Sequence, residues 1–152
     1  MKSGRRLGID YGDVRIGLAL SDPSGIIATP LSTITLTGPS EGLGEIAAIV
    51  QEYDIAVIYV GLPLHLSGVH GESSMKIRGF VGELSARIGP GIPIRLVDER
   101  LSTSSAQRQA RDDGRKVSKE NIDQLAATII LENALHVEKL QSELAGKSVD
   151  EL

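Results

Sequence analysis

Residues 54–63, DIAVIYVGLP, are almost continuously apolar, rich in β-branched and aromatic side chains, and closed by a Gly-Leu-Pro turn. A half-exposed strand would alternate apolar and polar residues. An unbroken run of this length fits a strand buried on both faces, and burial on both faces requires a sheet covered by helices on each side. The segment 92–100, IPIRLVDER, repeats the pattern and ends in charge. Helical periodicity precedes each of these strands. A stripe of Leu43, Ile46, Ala47, Val50 and Tyr53 follows a helix start at Pro39 and Ser40, and a helix over about 72–88 turns Ile77, Phe80, Val81, Leu84 and Ile88 inward. The two strands therefore belong to crossover units and run parallel.

The first 36 residues behave differently. Residues 5–11 and 15–21 are short apolar runs around the tight turn Gly12-Asp13-Val14, the pattern of a β-hairpin. A third strand over 26–36, IIATPLSTITL, contains Pro30, which cannot donate to a ladder and so predicts a sheet edge or a bulge. After the fifth strand come a Ser/Thr-rich helix start at 102–105, a short polar helix, and the loop DDGRKVSKE. A long helix over about 119–142 follows, with Ile122, Leu125, Ala126, Ile129, Asn133, Val137 and Leu140 as its expected inner stripe. The order β-β-β-α-β-α-β-α-α predicts an α/β fold with a ribonuclease H-like mixed five-stranded sheet. Strands 1-2-3 are antiparallel, strands 1, 4 and 5 parallel, and helices lie on both faces. The 152 residues suit one domain, expected over 1–144, with a flexible C-terminal tail over 145–152.

Composition removes several chemistries. With no cysteine there is no disulfide, thiolate nucleophile or cysteine-based zinc site, which fits a cytoplasmic enzyme. His65, His70 and His136 lack zinc-ligand spacing, and neither a Gly-x-x-x-x-Gly-Lys-Ser/Thr loop nor a Gly-x-Ser-x-Gly elbow occurs. No apolar run is long enough to span a bilayer. The net charge of −4 hides an asymmetry: residues 76–119 hold ten of the 16 basic residues and five of the 20 acidic ones. A basic middle segment in an acidic chain is compatible with a polyanionic partner, although an ordinary solvated surface explains it equally well on charge alone.

The acids carry the chemical argument. Asp10 interrupts the first apolar strand, Asp98 and Glu99 end the fifth, and Asp123 lies in the first turns of the last helix. Each has a plainer reading: a turn residue, a solvated strand end, a helix-end charge. In the expected topology, however, these three places converge on one sheet edge, where ligands of open α/β sheets bind. Carboxylates crowded there would repel unless a divalent cation joined them, and Mg²⁺ or Mn²⁺ held by carboxylates is the tool of phosphodiester hydrolysis. Residue type alone leaves Asp98 and Glu99 as alternatives.

Four segments in this order, GIDYGDVRIGLALSD, GLPLHLSG, VDERLST and IDQLAATIIL, resemble the YqgF/RuvX family of bacterial ribonuclease H-fold proteins over roughly residues 5–140. That family is associated with pre-16S rRNA processing and with Holliday junction resolution. The resemblance implies an acidic metal site of Asp10, Glu99 and Asp123 that binds Mg²⁺ or Mn²⁺. It also implies phosphate contacts from Arg15, from Arg100, Ser102 and Thr103, and from the basic loop of Arg115, Lys116 and Lys119. The partner implied is nucleic acid, either an rRNA precursor on ribosomal particles or branched DNA, without a membrane. The protein would be a monomer, or a homodimer if it cuts junctions symmetrically. Two departures stand out: Val14 replaces a second basic residue beside Arg15, and His65-Leu66-Ser67-Gly68 replaces an Asn-x-Asp-Gly-like loop. Two other classes share parts of the pattern. GIDYG resembles the first phosphate loop of actin-like sugar kinases, but the chain is too short for their two domains. A non-catalytic ribosome-assembly factor would keep the same fold.

Overall fold

The computed structural model describes residues 3–12, 14–37, 42–62, 72–98 and 119–151. Five strands form one sheet: β1 (Arg5–Tyr11), β2 (Arg15–Ser21), β3 (Ala28–Thr35), β4 (Ile55–Leu62) and β5 (Ile94–Asp98). Among the described residues three α-helices accompany them: α1 (Leu43–Glu52), α2 (Glu72–Ile88) and α3 (Lys119–Gln141); the short polar helix expected after 102–105 lies outside the described residues. The strand order is β3-β2-β1-β4-β5. β1 pairs antiparallel with β2 and parallel with β4, and β4 pairs parallel with β5, as the sequence predicts. β3 lies at the edge, and the ladder slips between Leu18–Ser32 and Ala19–Pro30, so the proline takes both an edge and an irregular position.

β4 is buried along nearly its whole length, and its alternation sorts the core into two faces. Ile58, Val60 and Leu62 join Leu7, Ile9, Ile16 and Leu18 beneath α1 and α2, against Ile46, Val50, Ile77, Phe80 and Leu84. Val57 and Tyr59 face α3 with Ala19, Ala127, Leu131, Ala134 and Leu135. The stripe expected on α2 is the one buried. The stripe expected on α3 is buried only in its first half: Ala126 is buried and Ile122, Leu125 and Ile129 are half-buried, but Asn133 is exposed and Leu140 is 74% exposed, and further along Ile130, Leu131, Ala134, Leu135 and Glu138 face inward instead. The sheet beneath explains the rotation. A Cβ on Gly8 would lie 2.8 Å from Leu131 Cβ and 2.9 Å from the Ala127 carbonyl oxygen, and one on Gly17 would lie 2.1 Å from the Asp123 carbonyl oxygen. At these two glycines the helix lies too close to the strand for a side chain on the sheet, which fixes the face of α3 that turns inward.

A charged pair crosses this face. Arg6 and Glu138 are each 3% exposed and meet at 2.8 Å through Nη2, while Arg6 Nε reaches both carboxylate oxygens at 3.2 and 3.3 Å. Tyr59 joins them; burial foremost, and then the Glu138 carboxylate, push its hydroxyl up to about 12.

The segment after α3 packs against the edge of the sheet. Leu96 and Lys147 exchange backbone hydrogen bonds of 2.7 and 3.0 Å, Arg95 Nε donates to the Ala145 carbonyl at 2.9 Å, and the Ala145 N–H donates to the Tyr59 hydroxyl at 3.1 Å. Ala145 is buried, and Val149–Glu151 form a short 3₁₀ turn. The outer edge of β5 has unpaired backbone groups, and this segment satisfies part of them.

Candidate active site

Strand alternation decides where each acid points. On β1, Leu7 and Ile9 enter the α1/α2 core and Tyr11 stacks on Phe80 of α2 with ring centroids 4.3 Å apart. Gly8 and Asp10 therefore face α3. Asp10 is half-buried, and its ladder partner across β2 is Gly17. Directly opposed residues of an antiparallel pair share a face. That is the position against which the Asp123 backbone rests, so the two carboxylate-bearing residues occupy adjoining places, one on the sheet and one on the helix above it.

Arg15 lies two residues before Gly17 and so shares its face. Its Nε donates to Asp123 Oδ2 at 2.7 Å, with the two side chains 27% and 22% exposed. Asp123 is the fifth residue of α3, past the first turn where a helix end attracts negative charge most strongly. The arginine, rather than the helix end, is its closest described source of positive charge. The hairpin thus delivers Asp10 on one strand and Arg15 on the next, and Gly17 leaves room for the helix that brings Asp123.

Asp98 is exposed at the end of β5 and pairs with Leu62. Leu62 and Leu96 belong to the α1/α2 core, whereas Val97 packs with the α3 cluster. By this alternation Asp98 stands on the opposite face from Asp10. Glu99, Arg100, Ser102, Thr103, Arg115 and Lys116 lie outside the described residues. Lys119 opens α3, and its side chain also lies outside them. Among the described residues no three His, Cys, Asp or Glu side chains form a metal-holding group. The two acids that do adjoin offer hard carboxylate oxygens, a donor type suited to Mg²⁺ or Mn²⁺, beside a place where a cationic side chain already sits.

Gly17 is the site residue the sequence reading passes over. A signal was available: Gly8 and Gly17 are glycines inside two adjacent apolar strands, where glycine marks close approach of another backbone.

A family model described as "RuvX: Holliday junction resolvase" matches residues 4–137. A Nocardioides protein named "Putative pre-16S rRNA nuclease" is 44% identical over 156 residues, covering 99% of both chains. A Leifsonia xyli protein of the same name is 46% identical over 152 residues, covering 99% of this chain and 97% of its own. Among solved structures, Thermus thermophilus RuvC in complex with a Holliday junction substrate superposes with a TM-score of 0.55 at 16% identity, covering 90% of this chain and 96% of that one. At that identity the likeness concerns the ribonuclease H-like fold. No described helix is long and apolar enough to cross a membrane.

Proposed function

The chain belongs to the RuvX family, and from that premise we propose that it is a divalent-metal-dependent nuclease whose substrate is the 5′ leader of pre-16S rRNA. The observation that carries the reading is the placement of Asp10, Arg15 and Asp123 on one sheet face by the β1–β2 hairpin and by α3 lying directly on Gly17. The full-length relatives named for pre-16S rRNA support the choice of substrate.

In this reading Asp10, Asp123 and Glu99 hold Mg²⁺ or Mn²⁺. The alternation that turns Asp98 to the other face is the reason to prefer its neighbour. A cation bound there supplies Lewis-acid polarisation of the phosphate and a water acidic enough to attack it. The protein's own residues do the rest. Asp10 is held by its ladder with Gly17 on β2, one residue past the Ile9–Val60 pair with β4, so its backbone is fixed. Asp123 is held at a set height by the helix backbone against Gly17. Arg15 offers a guanidinium to the phosphodiester, and Arg100, Ser102, Thr103, Arg115, Lys116 and Lys119 extend the backbone contacts. Such contacts position a nucleic acid without reading its sequence. The products carry 5′-phosphate and 3′-hydroxyl ends.

A second substrate, the four-way DNA junction, is favoured by the description of the matching family. The test is cleavage of precursor rRNA and of a junction in Mg²⁺ or Mn²⁺ by wild type and Asp10→Asn. Wild type should cut the rRNA leader, and the variant should lose on the order of 10³-fold in rate without a change in melting temperature. Equal cutting by both proteins rejects the metal site. Binding of rRNA without cutting supports an assembly factor instead, and preferential junction cutting supports a resolvase.

A further inference from the structure

We propose that Arg15 is the site's placeholder charge: its guanidinium occupies Asp123 in the metal-free protein and yields that carboxylate when a divalent cation binds. The inference rests on the reading of Asp10 and Asp123 as metal ligands and adds a competitor to them.

Two arginine–carboxylate pairs among the described residues link the first hairpin to α3, and they are built differently. Arg6 and Glu138 are each 3% exposed and joined through Nε and Nη2 to both oxygens, so neither can leave without stranding a buried charge. Arg15 and Asp123 meet through one Nε–Oδ2 bond of 2.7 Å and remain 27% and 22% exposed. The second pair can therefore exchange partners with solvent species. Both backbones beneath it are fixed, Arg15 by its ladder with Thr35 and Asp123 by the contact with Gly17, so exchange needs only side-chain rotation.

Chemistry makes the two cations rivals. A guanidinium N–H and a metal ion draw on the same carboxylate lone pairs, and a positive charge next to a dication repels it. In the metal-free protein Asp10 and Asp123 adjoin on one half-buried face, where uncompensated carboxylates would repel each other. Arg15 relieves that repulsion. Once the cation takes Asp123, the freed guanidinium is available to a phosphate at the same face, which couples metal loading to substrate capture.

Titration calorimetry with Mn²⁺ alone, on wild type, Arg15→Gln, Arg15→Lys and Asp123→Asn, tests this together with melts in EDTA and in saturating Mn²⁺. Arg15→Gln should bind Mn²⁺ roughly tenfold more tightly than wild type, melt lower in EDTA and recover in Mn²⁺. Arg15→Lys, which keeps the charge, should stay close to wild type. Equal or weaker Mn²⁺ binding by Arg15→Gln overturns the placeholder role and makes Arg15 a positioning residue. An Arg15→Lys protein that behaves like Arg15→Gln overturns the argument from charge. If wild type shows no Mn²⁺ binding that Asp123→Asn removes, the metal site itself fails and the proposal falls with it.

Discussion

The two faces of the sheet are made of different materials. Beneath α1 and α2 lie large aliphatic residues and an aromatic stack, Tyr11 on Phe80, in a continuous apolar layer. Between the sheet and α3, Gly8, Gly17 and Ala19 meet Ala127 and Ala134 beside a few larger residues (Val57, Leu131, Leu135), with the Arg6–Glu138 pair and the Tyr59 hydroxyl embedded among them. Large residues fill space and tolerate small shifts by repacking. Small residues bring two backbones to a fixed separation. The first face holds the domain together. The second sets the height of Asp123 above Asp10, and the described charged groups Asp10, Arg15 and Asp123 belong to it.

The largest effect should come from breaking the charged pair. Glu138→Ala leaves Arg6 buried without its carboxylate and should cost about 3–5 kcal/mol, read as a lowered denaturant midpoint. If it costs no more than an ordinary surface change, the α3 face is not organised around that pair. A smaller and sharper effect contrasts glycines. Gly17→Ala drives a methyl into the Asp123 carbonyl, 2.1 Å from the ideal Cβ position, and should destabilise by about 1–3 kcal/mol while reducing nuclease activity in the folded fraction. Gly82→Ala, on α2, meets nothing within 4 Å. It should stabilise by about 0.5–1 kcal/mol through helix propensity and leave activity unchanged. Equal signs for the two substitutions would dissolve the distinction between the faces.

The smallest effect lies outside both faces. Asp22 accepts hydrogen bonds from the backbone N–H groups of Ile27, Ile26 and Ser24, and these hold its carboxyl below the usual aspartate value. A depressed value means that the carboxylate's contribution to this turn is complete above the ordinary aspartate range and is lost as pH falls through the lowered value. NMR titration should show the Ile26 and Ile27 amides shifting together with the Asp22 carboxyl in that acid window. Amides that titrate at the unshifted aspartate value would show that the turn does not hold the charge.

The first face was readable from the sequence because its signal is local: an unbroken apolar run for β4 and a helical period for α2. Strand order followed from the same runs and from the position of Pro30. The second face was not, because the demand that shapes it is tertiary. Val137 and Leu140 look like core residues by period, yet the glycine-floored sheet selects the alanine side of α3 and leaves those two outside. Arg6 looked like one of several basic residues near the start of the chain; its partner is 132 positions away. The pairing of Lys147 with Leu96 has no local signal either, since it joins the segment after α3 to a strand some fifty positions earlier. At the candidate site, Asp10 and Asp123 stood out by residue type and by where strand and helix end, whereas Arg15 entered only through the family resemblance. Residue type left Asp98 and Glu99 open, and the pleat of β5 turns Asp98 to the face away from Asp10.

The pairing of Arg6 with Glu138 and of Arg15 with Asp123 has a consequence for the order of synthesis. These contacts span 132 and 108 residues and join the first hairpin to the last helix. While the chain is being made, β1 and β2 wait without these charged partners until α3 has emerged. Long-range closure of this kind is slow. A chain without α3 therefore holds Asp10 apart from Asp123, and the two carboxylates come together only when that helix closes over Gly17.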